Sequence, residues 1–333
     1  MQPGLPRPHL QRQDHLLPGQ PPRLPRDRAG HRPDPAGQAP AVVGAGPAGP
    51  AFATTAAERG HHVTLFDGAD DIGGQLDVAR RVPGKEEFDE TLRYFRHKLA
   101  DTGVDVKLGA RVEADDLTGY DEVAIATGVT PRVPDLPGTD HPTVVTYLDV
   151  LRGGVEVGRR VAILGAGGIG FDVAAFITDP GDEASPDIAA FQRTRGIDGD
   201  HTTRGGLVPP SHRSAPREVT LLQRKTTKVG KGLGKTTGWI HRGELAARGV
   251  TMVPGVTYER IDDDGLHVTI DGQQQVLAVD TIVLCTGQEP SRGLHDELRA
   301  KGATVHLIGG ADIAAELDAK RAIDRGTRIA AQV

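Results

Sequence analysis

Cysteine is nearly absent from this 333-residue chain, Cys285 being the only one. That excludes a disulfide within the chain, a redox-active Cys-x-x-Cys pair and an iron–sulfur cluster held by the chain's own thiolates. Long apolar runs are missing as well. None approaches the roughly 18 residues that cross a bilayer, so no membrane partner is expected. Neither sign of charge dominates. Lys and Arg number 39 against 45 Asp and Glu, a net charge of −6, and the two signs are mixed. Nothing marks a nucleic-acid partner, and a cytoplasmic protein is the default expectation. The length suits two domains.

Aliphatic residues are sparse in the first 40 positions. Met1–Pro40 holds ten of the chain's 24 prolines and six arginines, with leucine as almost the only large apolar type. No helical or strand period runs through it, and so dense a set of prolines forbids an amphipathic targeting helix. Residues 1–39 are expected to be disordered.

What is present begins at Ala41. The apolar run Ala41-Val42-Val43 leads into Gly44-Ala-Gly46-Pro-Ala-Gly49, and about 120 residues later Val161-Ala-Ile163-Leu164 leads into Gly165-Ala-Gly167-Gly168-Ile-Gly170. In such a turn the first glycine allows the bend and the second lets the backbone approach a pyrophosphate. The third lets helix and strand pack closely, and the pyrophosphate rests on the helix N-terminus. One such motif is weak evidence. Two, each between a strand and a helix, point to a protein that holds two nucleotides.

The rest of each unit follows the same pattern. In the first, Pro47–Arg59 reads as a helix and His62–Phe66 as a strand ending at Asp67. A Rossmann unit places there, about 20 residues after its first glycine, the carboxylate that accepts ribose hydroxyls. A loop at Gly73-Gly74-Gln75, a helix over Lys85–Ala100, a strand over Val104–Leu108 with Val112 beyond it, and a strand over Glu122–Ala126 complete it. Gly128, in Ala126-Thr127-Gly128, would let the chain pass close to a nucleotide.

In the second unit, the helix Gly168–Thr178 precedes a polar insertion, Asp179–Arg217, and the strand Glu218–Leu222 ends in Gln223-Arg224-Lys225. Bases stand here where the first unit has an acid. They would neutralise a ribose 2′-phosphate that an acid would repel, so this site is expected to favour NADPH. Val250–Pro254, two hairpin-like stretches (Tyr258–Asp271 and Gln274–Val279) and Thr281–Cys285 follow. Cys285-Thr286-Gly287 echoes Ala126-Thr127-Gly128. A strand over Thr304–Ile308 and a helix over Ile313–Ala331 close the chain. The expected fold is α/β, with an FAD-binding domain over 40–150 and 289–333 interrupted by an NADPH-binding domain over 151–288. The segment Gly230-Lys-Gly-Leu-Gly234-Lys235-Thr236 imitates a P-loop but has three residues between its glycines where the motif needs four, so ATP hydrolysis is not expected.

The arrangement resembles the flavoproteins with two dinucleotide-binding domains. Five strings look like the C-terminal half of bacterial NADPH-dependent 2,4-dienoyl-CoA reductases: Ile72-Gly-Gly-Gln-Leu76, Pro83-Gly-Lys-Glu-Glu-Phe88, Leu222-Gln-Arg-Lys225, Gly232-Leu-Gly-Lys-Thr-Thr-Gly-Trp-Ile-His-Arg242 and His306-Leu-Ile-Gly-Gly-Ala-Asp312. The resemblance implies that Gly44, Gly46, Ala48, Gly49, Asp67, Gly74, Gln75, Val112, Gly128 and the Gly310–Asp312 turn hold FAD. It implies that Gly165, Gly167, Gly170, Arg224 and Lys225 hold NADPH, and that Lys228 and Trp239 face the substrate side. It implies no protein-borne catalytic group and no metal. In that family an FMN-bearing barrel and an iron–sulfur cluster precede this half and carry electrons on to a conjugated acyl-CoA. Those parts have no counterpart here, and Pro50 replaces an aliphatic residue.

Read one base later, GC-rich codons for Met1-Gln-Pro-Gly-Leu-Pro-Arg-Pro-His-Leu10 can spell Cys-Asn-Gln-Ala-Cys-Leu-Asp-His-Ile, the stretch that binds the cluster in that family. Residues 1 to about 39 are therefore expected to be an out-of-frame translation. The expected activity is NADPH oxidation through FAD toward a small-molecule electron acceptor. The alternatives are an electron-transfer subunit for a separate FMN-barrel protein and a non-functional fragment.

Overall fold

A computed structural model describes residues 37–180, 187–211, 214–314 and 318–333. Except for residues 37–39, the expected disordered or out-of-frame segment lies outside the described residues.

The first sheet grows from short, fully buried strands. β1 (Ala41–Val43) is followed by α1 (Ala48–Glu58), β2 (Thr64–Phe66), α2 (Gln75–Ala79), α3 (Phe88–Asp101), β3 (Asp105–Lys107) and β4 (Val123–Ile125). Every residue of β1 and β4 is buried, as continuous apolar runs covered on both faces should be. β3 alternates exposed and half-buried residues, as an edge strand does.

A crossing that contains one strand of a two-stranded sheet then carries the chain into the second sheet. The elements are β5 (Val129–Pro131), β6 (Val144–Thr146), α4 (Tyr147–Arg152), β7 (Arg160–Leu164), α5 (Gly168–Thr178), α6 (Ile188–Arg195), β8 (Glu218–Leu222), α7 (Gly238–Ala247) and β9 (Thr251–Val253). Next come an antiparallel trio, β10 (Thr257–Asp262), β11 (Gly265–Ile270) and β12 (Gln273–Leu277), and then β13 (Thr281–Leu284). The return consists of β14 (Gln288–Pro290), α8 (Gly293–Ala300), β15 (Val305–Leu307) and α9 (Ala319–Ala330).

Both five-stranded sheets are parallel, ordered β15-β4-β1-β2-β3 and β6-β13-β7-β8-β9. In each, three strands run outward on one side and the chain then reverses to the other side of the glycine-bearing strand. That leaves a crevice at β1/β4 and another at β7/β13, where open α/β sheets hold their ligands. β15, the last strand in sequence, pairs with β4, so the second unit interrupts the first. β14 pairs antiparallel with β5 where the two crossings run side by side.

The first core joins Val42, Phe52 and Leu65 to Ile308 and Ile323 from the end of the chain. Phe52 is completely buried, and truncating it to Ala would cost about 3–5 kcal/mol. α1 and α9 touch so closely that a Cβ on Gly326 would lie 2.4 Å from the Ala48 carbonyl oxygen.

Several elements differ from the sequence expectation. Gln75 opens a short helix rather than lying in a loop, because Leu76 and Val78 bury there. The polar insertion contains α6, capped by the Asp187 side chain on the Ala189 amide at 2.9 Å. The final helix starts at Ala319, where Asp318 accepts from the Lys320 amide at 2.9 Å, and not at Ile313. β6, grouped by sequence with the first unit, pairs with β13 in the second sheet. Pro50 is accommodated in the first turn of α1, where an intrahelical N–H partner is missing in any case.

Candidate functional site

Gly44 and Gly165 directly follow β1 and β7, and each has φ +112°, a backbone that L side chains rarely adopt. A Cβ on Gly44 would sit 2.3 Å from the Ala126 carbonyl oxygen, and one on Gly165 2.2 Å from that of Cys285. Each first glycine thus meets the strand across its own crevice. The third glycines match as well: a Cβ on Gly49 or on Gly170 would lie 1.9 Å from the carbonyl oxygen of Gly44 or Gly165 respectively. The second glycines are the reverse case, since a Cβ on Gly46 or Gly167 would meet nothing within 4 Å. Neither position needs glycine for packing inside the protein. The open face at the head of α1 and of α5 is the space a pyrophosphate requires. The chain's own atoms therefore fit a dinucleotide at both turns.

The other residues proposed for FAD gather round the first turn. A Cβ on Gly74 would approach Gly46 Cα at 3.1 Å, and one on Gly310 would meet Gly128 and Val129 at 2.9–3.2 Å. Gly309 brings the Gly309–Ala311 turn against Ala48. Gly46, Ala48, Gly74, Gly128 and Gly310 therefore share one locus at the head of α1. Asp312 ends that turn, its carboxylate 3.7 Å from Arg325 Nε. Asp67 closes β2 and accepts from the Ala45 amide at 2.5 Å through Oδ2 and from the Ala69 amide at 2.8 Å through Oδ1. Its carboxylate is thus fixed beside the glycine turn. The Ala110 amide donates to the Asp67 carbonyl at 2.9 Å, and Val112 packs two residues further on.

Gln75 occupies a different place, at the seam between the units. Tyr147, almost fully buried, donates to Gln75 Oε1 at 3.4 Å and accepts from Gln288 Nε2 at 3.1 Å. Burial pushes the Tyr147 phenol above its usual range, against its hydrogen bonds with Gln288 and Gln75. Lys85 Nζ crosses the same seam to both oxygens of Asp172, at 2.7 and 2.6 Å. Val78 and Val82 of the first unit enter the core of the second. Cys285 is also here, and desolvation together with the nearby Asp172 charge holds its thiol protonated. Sequence reasoning did not single out Tyr147, Gln288, Lys85 or Asp172. The one signal for Tyr147 was the capping pair before it, in which Thr146 accepts from the Asp149 amide at 3.3 Å and donates to its carboxylate at 2.7 Å.

At the second turn, Gly165 N–H donates to the Leu222 carbonyl at 3.0 Å, as Gly44 N–H donates to the Phe66 carbonyl at 2.7 Å. The residues after those carbonyls, Asp67 and Gln223, are therefore equivalent. Arg224 and Lys225 follow and are solvent-exposed. Tyr258 lies beside them with its hydroxyl buried and unpartnered, and burial raises its phenol above the usual range. Lys228 and Trp239 are exposed further along, Trp239 at 66% with its indole N–H on the Thr236 carbonyl.

Two parallel sheets, each with a glycine turn at its switch point, define an α/β oxidoreductase architecture of paired Rossmann-like units. Residues 39–317 match the pyridine nucleotide-disulphide oxidoreductase family. The chain belongs to this family of flavin-dependent oxidoreductases, whose members bind FAD and a pyridine nucleotide. It is 27% identical over 276 residues to a metal reductase of Desulforamulus reducens, covering 81% of this chain and 40% of the relative. To an NADH oxidase of Thermoanaerobacter brockii it is 29% identical, covering 81% and 37%. A solved 2-naphthoyl-CoA reductase complex superposes with a TM-score of 0.75 at 25% identity, over 91% of this chain and 41% of that one. The chain thus spans about two-fifths of the length of these relatives. Among the described residues, no helix is long and apolar enough to cross a membrane.

Proposed function

We propose that this chain is an FAD-dependent NADPH oxidoreductase module, of the kind that forms the C-terminal half of 2,4-dienoyl-CoA reductases. The observation that carries it is the repeated turn: φ +112° at Gly44 and Gly165, with Gly46 and Gly167 both open to a ligand. When bound, FAD would supply the redox chemistry that links NADPH oxidation to an electron acceptor. The protein supplies binding and orientation. Gly46 and the head of α1 receive one pyrophosphate, Asp67 the adenosine ribose, and the Gly128–Gly310 locus the chain's return past the flavin. Gly167 receives the second pyrophosphate, and Arg224 and Lys225 the 2′-phosphate. No protein general acid is needed. With a single cysteine, the chain has no disulfide of its own to accept electrons, so the acceptor comes from outside it.

A second reading is an electron-transfer subunit that docks on an FMN-barrel partner. It is supported by the chain's spanning only about two-fifths of its relatives' length. Both readings share one test. Anaerobic NADPH should drive reduction of an added dye, while the chain alone leaves 2,4-hexadienoyl-CoA unchanged. Dienoyl turnover without added protein would overturn the assignment, and turnover restored only by a barrel protein would select the second reading.

A further inference from the structure

Gln223 stands where the first unit has its ribose-binding acid, yet its side chain does something different. The Asp67 carboxylate turns back to the glycine turn, on the Ala45 amide. The Gln223 amide turns forward instead. Its Nε2 donates to the Lys225 carbonyl at 2.8 Å and to the Thr227 carbonyl at 2.7 Å. Both acceptors lie in the loop that carries the two bases.

That loop is held from its other side too. Gln223 N–H donates to the Val253 carbonyl at 2.9 Å, Val256 N–H to the Gln223 carbonyl at 3.0 Å, and Gly255 N–H to the Lys225 carbonyl at 3.0 Å. The backbone at 223 and 225 is thus pinned to the segment after β9, and one side-chain amide gathers the carbonyls of 225 and 227 round itself. Arg224 lies inside this clamp, and its own side chain is free to reach solvent. Replacing the acid does two jobs: it removes a charge that would repel a 2′-phosphate, and it adds two donors that curl the basic loop.

We infer that Gln223 is a positioning residue for the 2′-phosphate of the pyridine nucleotide, acting through Arg224 and Lys225 by clamping their loop. The inference rests on the proposed NADPH site. A residue that only stabilises the turn would affect both nucleotides alike. One that orients the bases should affect only the nucleotide that carries the phosphate.

The test is binding of NADP⁺ and NAD⁺, which differ only in that phosphate, by titration calorimetry on the full-length chain. Gln223→Ala should weaken NADP⁺ about 5- to 30-fold, less than Arg224→Ala, and leave NAD⁺ within about twofold. Adding Gln223→Ala to Arg224→Ala should cost less than Gln223→Ala does alone, since residues that act through one another are not additive. Gln223→Met, which keeps the length, adds no charge and removes the donor, should likewise lower the NADP⁺ to NAD⁺ affinity ratio. Equal losses for both nucleotides, or full additivity with Arg224→Ala, would overturn the inference and leave the NADPH site standing. If Arg224→Ala itself leaves NADP⁺ binding unchanged, the site assignment fails, and the inference with it.

Discussion

Gly44 and Gly165 adopt one backbone conformation, φ +112°, and each is closed off by a carbonyl across its crevice, Ala126 for the first and Cys285 for the second. The likeness runs on through Gly49 and Gly170, and the amides of Gly44 and Gly165 donate to matching carbonyls, those of Phe66 and Leu222. It stops at the next residue, Asp67 in one unit and Gln223 in the other, and there the two sites differ in charge.

Glycines within one turn should therefore fail in different ways. Gly165→Ala forces a Cβ to 2.2 Å from the Cys285 carbonyl, so the backbone must move, at about 2 kcal/mol or more. Thermal unfolding should show the loss, and NADPH binding should go with it. Gly167→Ala meets nothing within 4 Å, so its folding stability should stay within about 0.5 kcal/mol of the parent. Its NADPH affinity should still fall, because the methyl group enters the pyrophosphate space. Flavin content should survive in both.

Arg224→Ala should raise the KM for NADPH about 10- to 100-fold, the worth of one charge-assisted phosphate contact at roughly 1.5–3 kcal/mol. NADH oxidation should hardly change. Steady-state dye reduction with each nucleotide checks this, and equal losses would show that Arg224 does not meet the 2′-phosphate.

The seam between the units gives a third test. Lys85 and Asp172 pair across it, each about a quarter to a third exposed, so the pair itself adds at most about 1 kcal/mol to stability. Tyr147→Phe leaves the packing and removes the link between Gln75 and Gln288. Folding should change by about 1 kcal/mol. The visible spectrum of bound flavin should shift if Gln75 holds FAD, as the resemblance implies.

Much of the fold was legible because its signals are local. The two glycine turns, the apolar strands before them and the acid at Asp67 all follow from sequence, since backbone geometry at a tight turn admits few residues. The pairing of β15 with β4 could be expected from resemblance alone, since nothing local to Val305–Leu307 specifies its neighbour. The seam was not legible. Tyr147, Gln288, Lys85 and Asp172 sit far apart in sequence, and each is an ordinary residue until the fold brings them together. Gln75, the first residue of α2, was read as part of a loop because the two glycines before it outweigh, in any local pattern, the residues that follow. The role of Gln223 was masked by the bases beside it, which carry the stronger chemical signal.

The most direct measurement is the flavin content of the purified full-length chain. Denaturation should release about one FAD per chain, with no FMN and no iron, and anaerobic NADPH should bleach the bound flavin. A colourless protein that cannot be reconstituted with FAD would contradict the account.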